Sequence, residues 1–217
     1  MKVFEKTGSR RRFFRGGLMF GGGLLAVPAS EAAPANKTLE AIHSLRTIHG
    51  DFSDKPVPDE SVQTILDASV RAANASNSQT YSIVVSRDPA KIQKLTGYRA
   101  TCLLLYCSDQ TRAADVAKHL GDPFSPVNTE GFITSSTNTI LAAQTAVIAA
   151  KSMGIDSLLT NGIHRGDIER LWEILELPQE GCFPLIALVL GIPRPNPHIT
   201  RAVCEVRAWC TTKSFTG

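Results

Sequence analysis

Residues 137–154 read TNTILAAQTAVIAAKSMG. Ile140, Leu141, Ala143, Ala146, Val147, Ile148, Ala149 and Ala150 put apolar groups on nearly every face of a helix. A helix that is apolar all round is buried. Ser135, Ser136 and Thr137 offer capping oxygens, and Gly154 a stop, so a helix is expected over 137–154. The uncharged run is too short to span a bilayer. Its alanines let another backbone approach closely. Two readings stand side by side: a plain core helix, and a core helix that also makes a subunit contact.

Working outward, the pattern alternates unevenly between helices and strands. Helices are expected over 39–45, 59–73, 88–95, 111–120 and 165–177, with strands at 81–86, 101–107, 155–159 and 183–190. TCLLLYC (101–107) and FPLIALVL (183–190) read as fully buried strands. Residues 121–131 read as a long loop. A central, mixed sheet with the buried helix across it accounts for this pattern, in an α+β fold.

The chain has 217 residues, enough for one substantial domain, and 43% hydrophobic composition marks it as globular. Its formal charge of +3 is concentrated at the start: residues 1–35 hold six Lys or Arg against two Glu. The remainder is close to neutral and lacks the basic footprint of a nucleic-acid binder. Ser9-Arg10-Arg11-Arg12-Phe13 precedes an apolar, Gly-rich run and then a small-residue region ending Ala33-Pro34-Ala35. That succession resembles a twin-arginine export signal over 1–35. It implies the twin-arginine machinery as a partner and a periplasmic location, or a cytoplasmic one if the signal does not operate. An uncleaved anchor or a basic tail is the alternative.

Five cysteines (Cys102, Cys107, Cys182, Cys204, Cys210) form no C-x-x-C, and no His cluster has metal-ligand spacing. No motif of a hydrolytic nucleophile is present, which leaves hydrolase and metalloprotein readings without support. Three polar turns remain. Arg46 supplies a planar cation suited to phosphate, Thr47 a hydroxyl and His49 a tunable donor. Ser76, Asn77 and Gln79 carry groups that donate and accept, suited to a heteroaromatic edge. Thr160-Asn161-Gly162 allows backbone N–H groups to approach a ligand.

The order and spacing of these turns resemble a family. Residues 39–52 are similar to the N-terminal basic segment of FMN-dependent nitroreductases and flavin reductases. Residues 72–85 are similar to their Ala-x-x-Ser-x-x-Gln-aromatic turn into a strand. AAQTAVIAAKSMGIDSLLTNGI, IERLWEILELP and FPLIALVLGIP carry the resemblance through to Pro193. It implies a nitroreductase-like domain over 36–200, built as an intertwined homodimer, with FMN in a groove contacted by both subunits. Arg46 and Thr47 match positions that hold the phosphate or ribityl chain. His49 matches a basic position near the pyrimidine edge, and Ser76, Asn77 and Gln79 match the turn facing the flavin. Thr160, Asn161 and Gly162 match the turn near N5. The flavin carries the chemistry, no side chain need act as a catalytic acid, and no metal is implied. The implied reaction is two-electron reduction of a small acceptor such as a nitroarene or quinone, with NAD(P)H as the family's donor. A non-catalytic flavin-binding or structural relative is the alternative.

Two departures qualify the resemblance. Leu45 stands where many members have a basic residue. The tail over 201–217 (RAVCEVRAWCTTKSFTG) does not read like the family's Lys- and Arg-rich end, leaving Arg201 as its one candidate phosphate ligand. Read two bases later, the codons for Trp209, Cys210 and Thr211 must give Val followed by His or Tyr. That matches the missing segment, so a frameshift near residue 200 is expected.

Overall fold

A computed structural model describes residues 36–125 and 127–195. The signal-like segment over 1–35, Arg201, Cys204, Cys210 and the atypical tail lie outside the described residues. In chain order the elements are α1 (Lys37–His43), α2 (Asp59–Ser69), β1 (Tyr81–Ser86), α3 (Pro89–Thr96), β2 (Cys102–Asp109), α4 (Thr111–Leu120), α5 (Thr129–Ser152), β3 (Asp156–Thr160), α6 (Arg170–Leu175) and β4 (Cys182–Gly191). Four strands form one sheet in the order β1-β2-β4-β3, flanked by helices.

All three strand pairs are antiparallel. The parallel component expected of a mixed sheet is a single bridge, Thr47 to Ser157, outside the named strands. There the Ile48 N–H donates to the Ser157 carbonyl at 3.3 Å, so residues 46–48 cover the outer edge of β3.

β2 and β4 are buried on both faces, which is why their sequences are apolar without alternation. Cys102, Leu104, Tyr106, Ile186, Leu188 and Leu190 face α2 and α5. Leu103, Leu105, Cys107, Ala187 and Val189 face the layer that holds α3, α6, Ile48 and Phe52. The β2–β4 register shifts between Tyr106 and Cys107, opposite Pro184. Proline has no N–H to give the ladder, and a bulge is where a central strand tolerates one.

Helix α5 begins at Thr129, eight residues before the expected start. Asn128 is the cap, its side-chain oxygen accepting the Gly131 N–H at 2.6 Å. The hydroxyls read as caps lie inside the helix instead. Ser135 donates to the Phe132 carbonyl three residues back and Thr137 to the Ile133 carbonyl four residues back. Part of the expected loop is therefore helix. Nor is α5 buried all round: Ala142, Ala143, Ala146 and Ala150 are fully enclosed, whereas Ile140 and Leu141 are 38% and 41% exposed. The helix expected over 165–177 shrinks to Arg170–Leu175. Gly166, at φ +80°, sits in the left-handed region and breaks the helical path before it.

Beneath α5, the Ser69 hydroxyl donates to the Ala142 carbonyl at 2.9 Å and lies 3.0 Å from the Tyr106 phenol. Having spent its one proton, Ser69 accepts from Tyr106. Burial pushes the Tyr106 phenol up to about 12. Below pH ~10 the phenol is neutral in both folded and unfolded chains, and its contribution is intact. Between pH ~10 and ~12 only the unfolded chain ionises, so stability falls by roughly 2–3 kcal/mol. Tyr106→Phe should flatten that fall, seen as a smaller loss of urea midpoint between pH 9 and 12. Parallel midpoint curves for the two proteins would contradict the assignment.

Candidate functional site

Arg46 and Thr47 lie on the outer side of β3. With Leu45, Gln144, Val147, Ser157 and Leu159 they line a cleft of about 290 Å³. The Arg46 guanidinium is held by Asp156: Nε and Nη2 donate to one carboxylate oxygen at 2.9 and 2.8 Å. Lys151 Nζ reaches the other oxygen at 2.6 Å. The Asp156 side chain is 1% exposed, while that of Arg46 is 35% exposed. A buried carboxylate between two cations is compensated, and the cation nearest solvent is orientationally fixed by it. Asp156 was not singled out from the sequence, although a charge two residues after a helix-ending glycine, at the start of a buried strand, is the kind of exception that invites a partner.

His49 goes elsewhere. Its Nδ1 lies 3.5 Å from the Tyr98 hydroxyl, and the two rings are tilted at 6.1 Å between centroids. The cleft beside Arg46 does not include it.

The turn before β1 is unusual in its backbone. Ser76, Asn77 and Gln79 have φ of 52°, 53° and 48°, three non-glycine residues in the left-handed region within four positions. Such conformations persist where the surroundings over-determine them. Here Asn138 of α5 does so. Its side-chain oxygen accepts the Ala75 N–H at 2.8 Å, and its amide donates to Ser78 Oγ at 3.3 Å and Thr80 Oγ1 at 3.1 Å. Asn74 Oδ1 accepts the Gln79 N–H, and Arg112 donates to the Gln79 carbonyl. The side chains of Ser76, Asn77 and Gln79 remain exposed. Asn138 was missed in the sequence reading; an amide amid the apolar helix was its one signal.

The third turn closes β3. Thr160 Oγ1 accepts the Gly162 N–H at 2.9 Å, so that N–H is satisfied within the chain. Asn161 donates to the Leu185 carbonyl at 3.1 Å, and His164 Nε2 donates to the Pro184 carbonyl at 2.7 Å. The β4 bulge turns these two carbonyls out of the ladder, and the turn docks on them. Because β1 starts and β3 ends at the same end of the sheet, the second and third turns share that end from opposite edges. Three strand spacings separate the edges, roughly 14 Å. Within one chain the turns flank the sheet rather than converge on one point.

The nitroreductase family model matches residues 42–122. A Bacillus subtilis protein, FMN reductase (NADPH), is 31% identical over 152 residues, 65% of this chain and 60% of its own length. The solved NfrA1 nitroreductase from B. subtilis superposes with a TM-score of 0.72 at 29% identity, over 82% of this chain and 74% of that one. The chain has the nitroreductase fold. An NADPH:FMN oxidoreductase from Vibrio harveyi, solved with NAD+, shares the fold at a TM-score of 0.67 and 28% identity, covering 79% of this chain and 75% of that one. The chain is thus similar in sequence and fold to flavin reductases, and it spans about 60% of the length of the curated relatives it matches.

The Arg46–Asp156–Lys151 network yields a test. Asp156→Asn leaves two cations together and should cost about 2–3 kcal/mol, less than a fully buried pair because Arg46 reaches water. Lys151→Met keeps the Arg46 pair and should cost less than half as much. Equal losses in urea unfolding would show that the pairing is not organised around Asp156.

Proposed function

We propose that the chain is an FMN-dependent oxidoreductase that reduces small acceptors such as nitroarenes or quinones by two electrons. The observation that carries this reading is the fixed Arg46 guanidinium beside Thr47 in a cleft of the nitroreductase fold. Asp156 takes the Nε–Nη2 edge, and Nη1 makes no hydrogen bond among the described residues. A phosphate fits that donor, with the Thr47 hydroxyl beside it. The exposed amides of Asn77 and Gln79 suit a ring edge that both accepts and donates. FMN supplies two-electron transfer when bound. The protein's part is to bind, orient and exclude water. NAD(P)H is the donor suggested by the relatives' names, FMN reductase (NADPH) among them.

The cleft's size supports a homodimer. About 290 Å³ is at the lower limit of small-molecule pockets and takes only part of a mononucleotide. Leu39, Ile42, Ile140 and Leu141 of the packed helices α1 and α5 are exposed, an apolar surface suited to a second copy completing the groove. A binder without turnover is the second reading, favoured by the tie of Arg46 to Asp156 and by Leu45.

Purified protein should be yellow, bleach with NAD(P)H or dithionite, and re-oxidise with a quinone or nitroarene. Yellow protein that does not cycle supports the second reading; colourless protein that takes up no FMN sinks both. Arg46→Ala should weaken FMN binding by about 1.5–3 kcal/mol, the scale of a hydrogen bond to a charged group. Dilution should release FMN as dimers part; a monomer by light scattering with stoichiometric FMN would contradict the shared site.

The export reading is supported by the Ser9-Arg10-Arg11-Arg12-Phe13 pattern ahead of an apolar run. A route that carries folded proteins suits a non-covalent flavin, loaded before transport. In the periplasm the donor would be a partner protein or a quinone pool rather than a nicotinamide. Replacing Arg10, Arg11 and Arg12 by Lys should strand the precursor inside the cell, as read by fractionation; continued export would mean a different signal.

A further inference from the structure

We infer that Asn138 is a positioning residue for flavin binding, the group on α5 that sets the turn over 74–80 in its ligand-ready shape. This rests on the FMN reading above.

The turn spends its polar groups in two directions. Its inward groups are consumed by the protein: the Ala75 N–H on Asn138, the Gln79 N–H on Asn74, the Gln79 carbonyl on Arg112. The Ser78 hydroxyl donates to the Ala75 carbonyl and accepts from Asn138. What faces outward is Ser76, Asn77 and Gln79, the three residues with left-handed backbone. Nothing in the packing of the sheet calls for that backbone, since these side chains contribute nothing to either core layer. Strain without a packing return is of the kind that clusters at active sites, ligand clamps and switch regions.

Asn138 is 1% exposed, yet its side chain spends one acceptor and both donors on three successive points of the turn, Ala75, Ser78 and Thr80. Three bonds from one planar amide fix both the height and the tilt of the turn against α5. Serine or threonine could not do this, having a single proton and a shorter reach. The amide therefore carries the position of the turn, and the outward side chains carry recognition.

The test uses apo-protein of the full chain, FMN titration by fluorescence quenching, the reduction potential of bound FMN, and hydrogen exchange at the Ala75 and Gln79 amides. Asn138→Ala should speed exchange at both amides, raise the FMN dissociation constant about tenfold or more, and move the potential toward that of free FMN. Asn138→Asp keeps the shape and the acceptor for Ala75 and should restore part of the affinity. Should Asn138→Ala fold poorly, the Ser78→Ala, Thr80→Val double variant removes two of the three bonds from the other side, leaving that to the Ala75 N–H, and should weaken FMN binding and shift the potential in the same direction. If the wild type binds FMN and these variants bind it with unchanged constant and potential, the inference is wrong while the FMN reading survives. If the wild type itself takes up no FMN, the FMN reading fails and the inference with it.

Discussion

The close approach of α5 to the sheet is the constraint from which the other features follow. Ala142, Ala143, Ala146 and Ala150 are fully enclosed, and their small side chains set the helix low on the sheet face formed by Leu104, Tyr106, Ile186 and Leu188. At that distance polar groups elsewhere on α5 reach neighbouring segments directly. Asn138 holds the turn before β1, Gln144 lines the cleft, and Lys151 meets Asp156. A bulkier residue at any of the four alanines would overpack the interface and lift every one of these groups together. One helix thus supplies the scaffold and the reach of the candidate site, which is why its sequence mixes alanine with isolated amides.

The opposite layer fixes the remaining turn by different means. Pro184 interrupts the hydrogen-bond ladder of β4, and the bulge beside it presents the Pro184 and Leu185 carbonyls. His164 and Asn161 take them up. The two turns are therefore independently anchored, one through a side-chain amide on a helix and one through carbonyls freed by a bulge. A ligand edge laid against either meets a preformed surface, and little ordering has to accompany binding.

Much of the architecture was legible because burial leaves a strong trace in sequence. TCLLLYC and FPLIALVL read as strands buried on both faces, and both fall within two residues of their expected bounds in β2 and β4. Boundaries set by hydrogen bonding were harder. Ser135 and Thr137 look like caps, yet hydroxyls bond backward inside a helix equally well, and only the Asn128 geometry decides between these uses. At the site, residue types were readable and pairings were not. Arg46 suggested an anion, but a sequence does not show that a carboxylate 110 positions later already holds it. Asn138 and Asp156 went unnoticed for the same reason: their importance lies in partners distant along the chain.

That carboxylate changes what Arg46 can do. Arg46 and Lys151 bring two positive charges and Asp156 removes one, so the cluster presents a single net positive charge to the cleft. Leu45 adds none. A phosphate monoester carries nearly two negative charges at neutral pH, so the cluster compensates it by about half. What the arrangement gains is direction: a guanidinium clamped along one edge loses little rotamer entropy when its free edge is engaged, whereas an untethered arginine has to be ordered first. A cleft so built suits geometric selection of an anion more than strong electrostatic capture. The cluster alone leaves about one phosphate charge unmet.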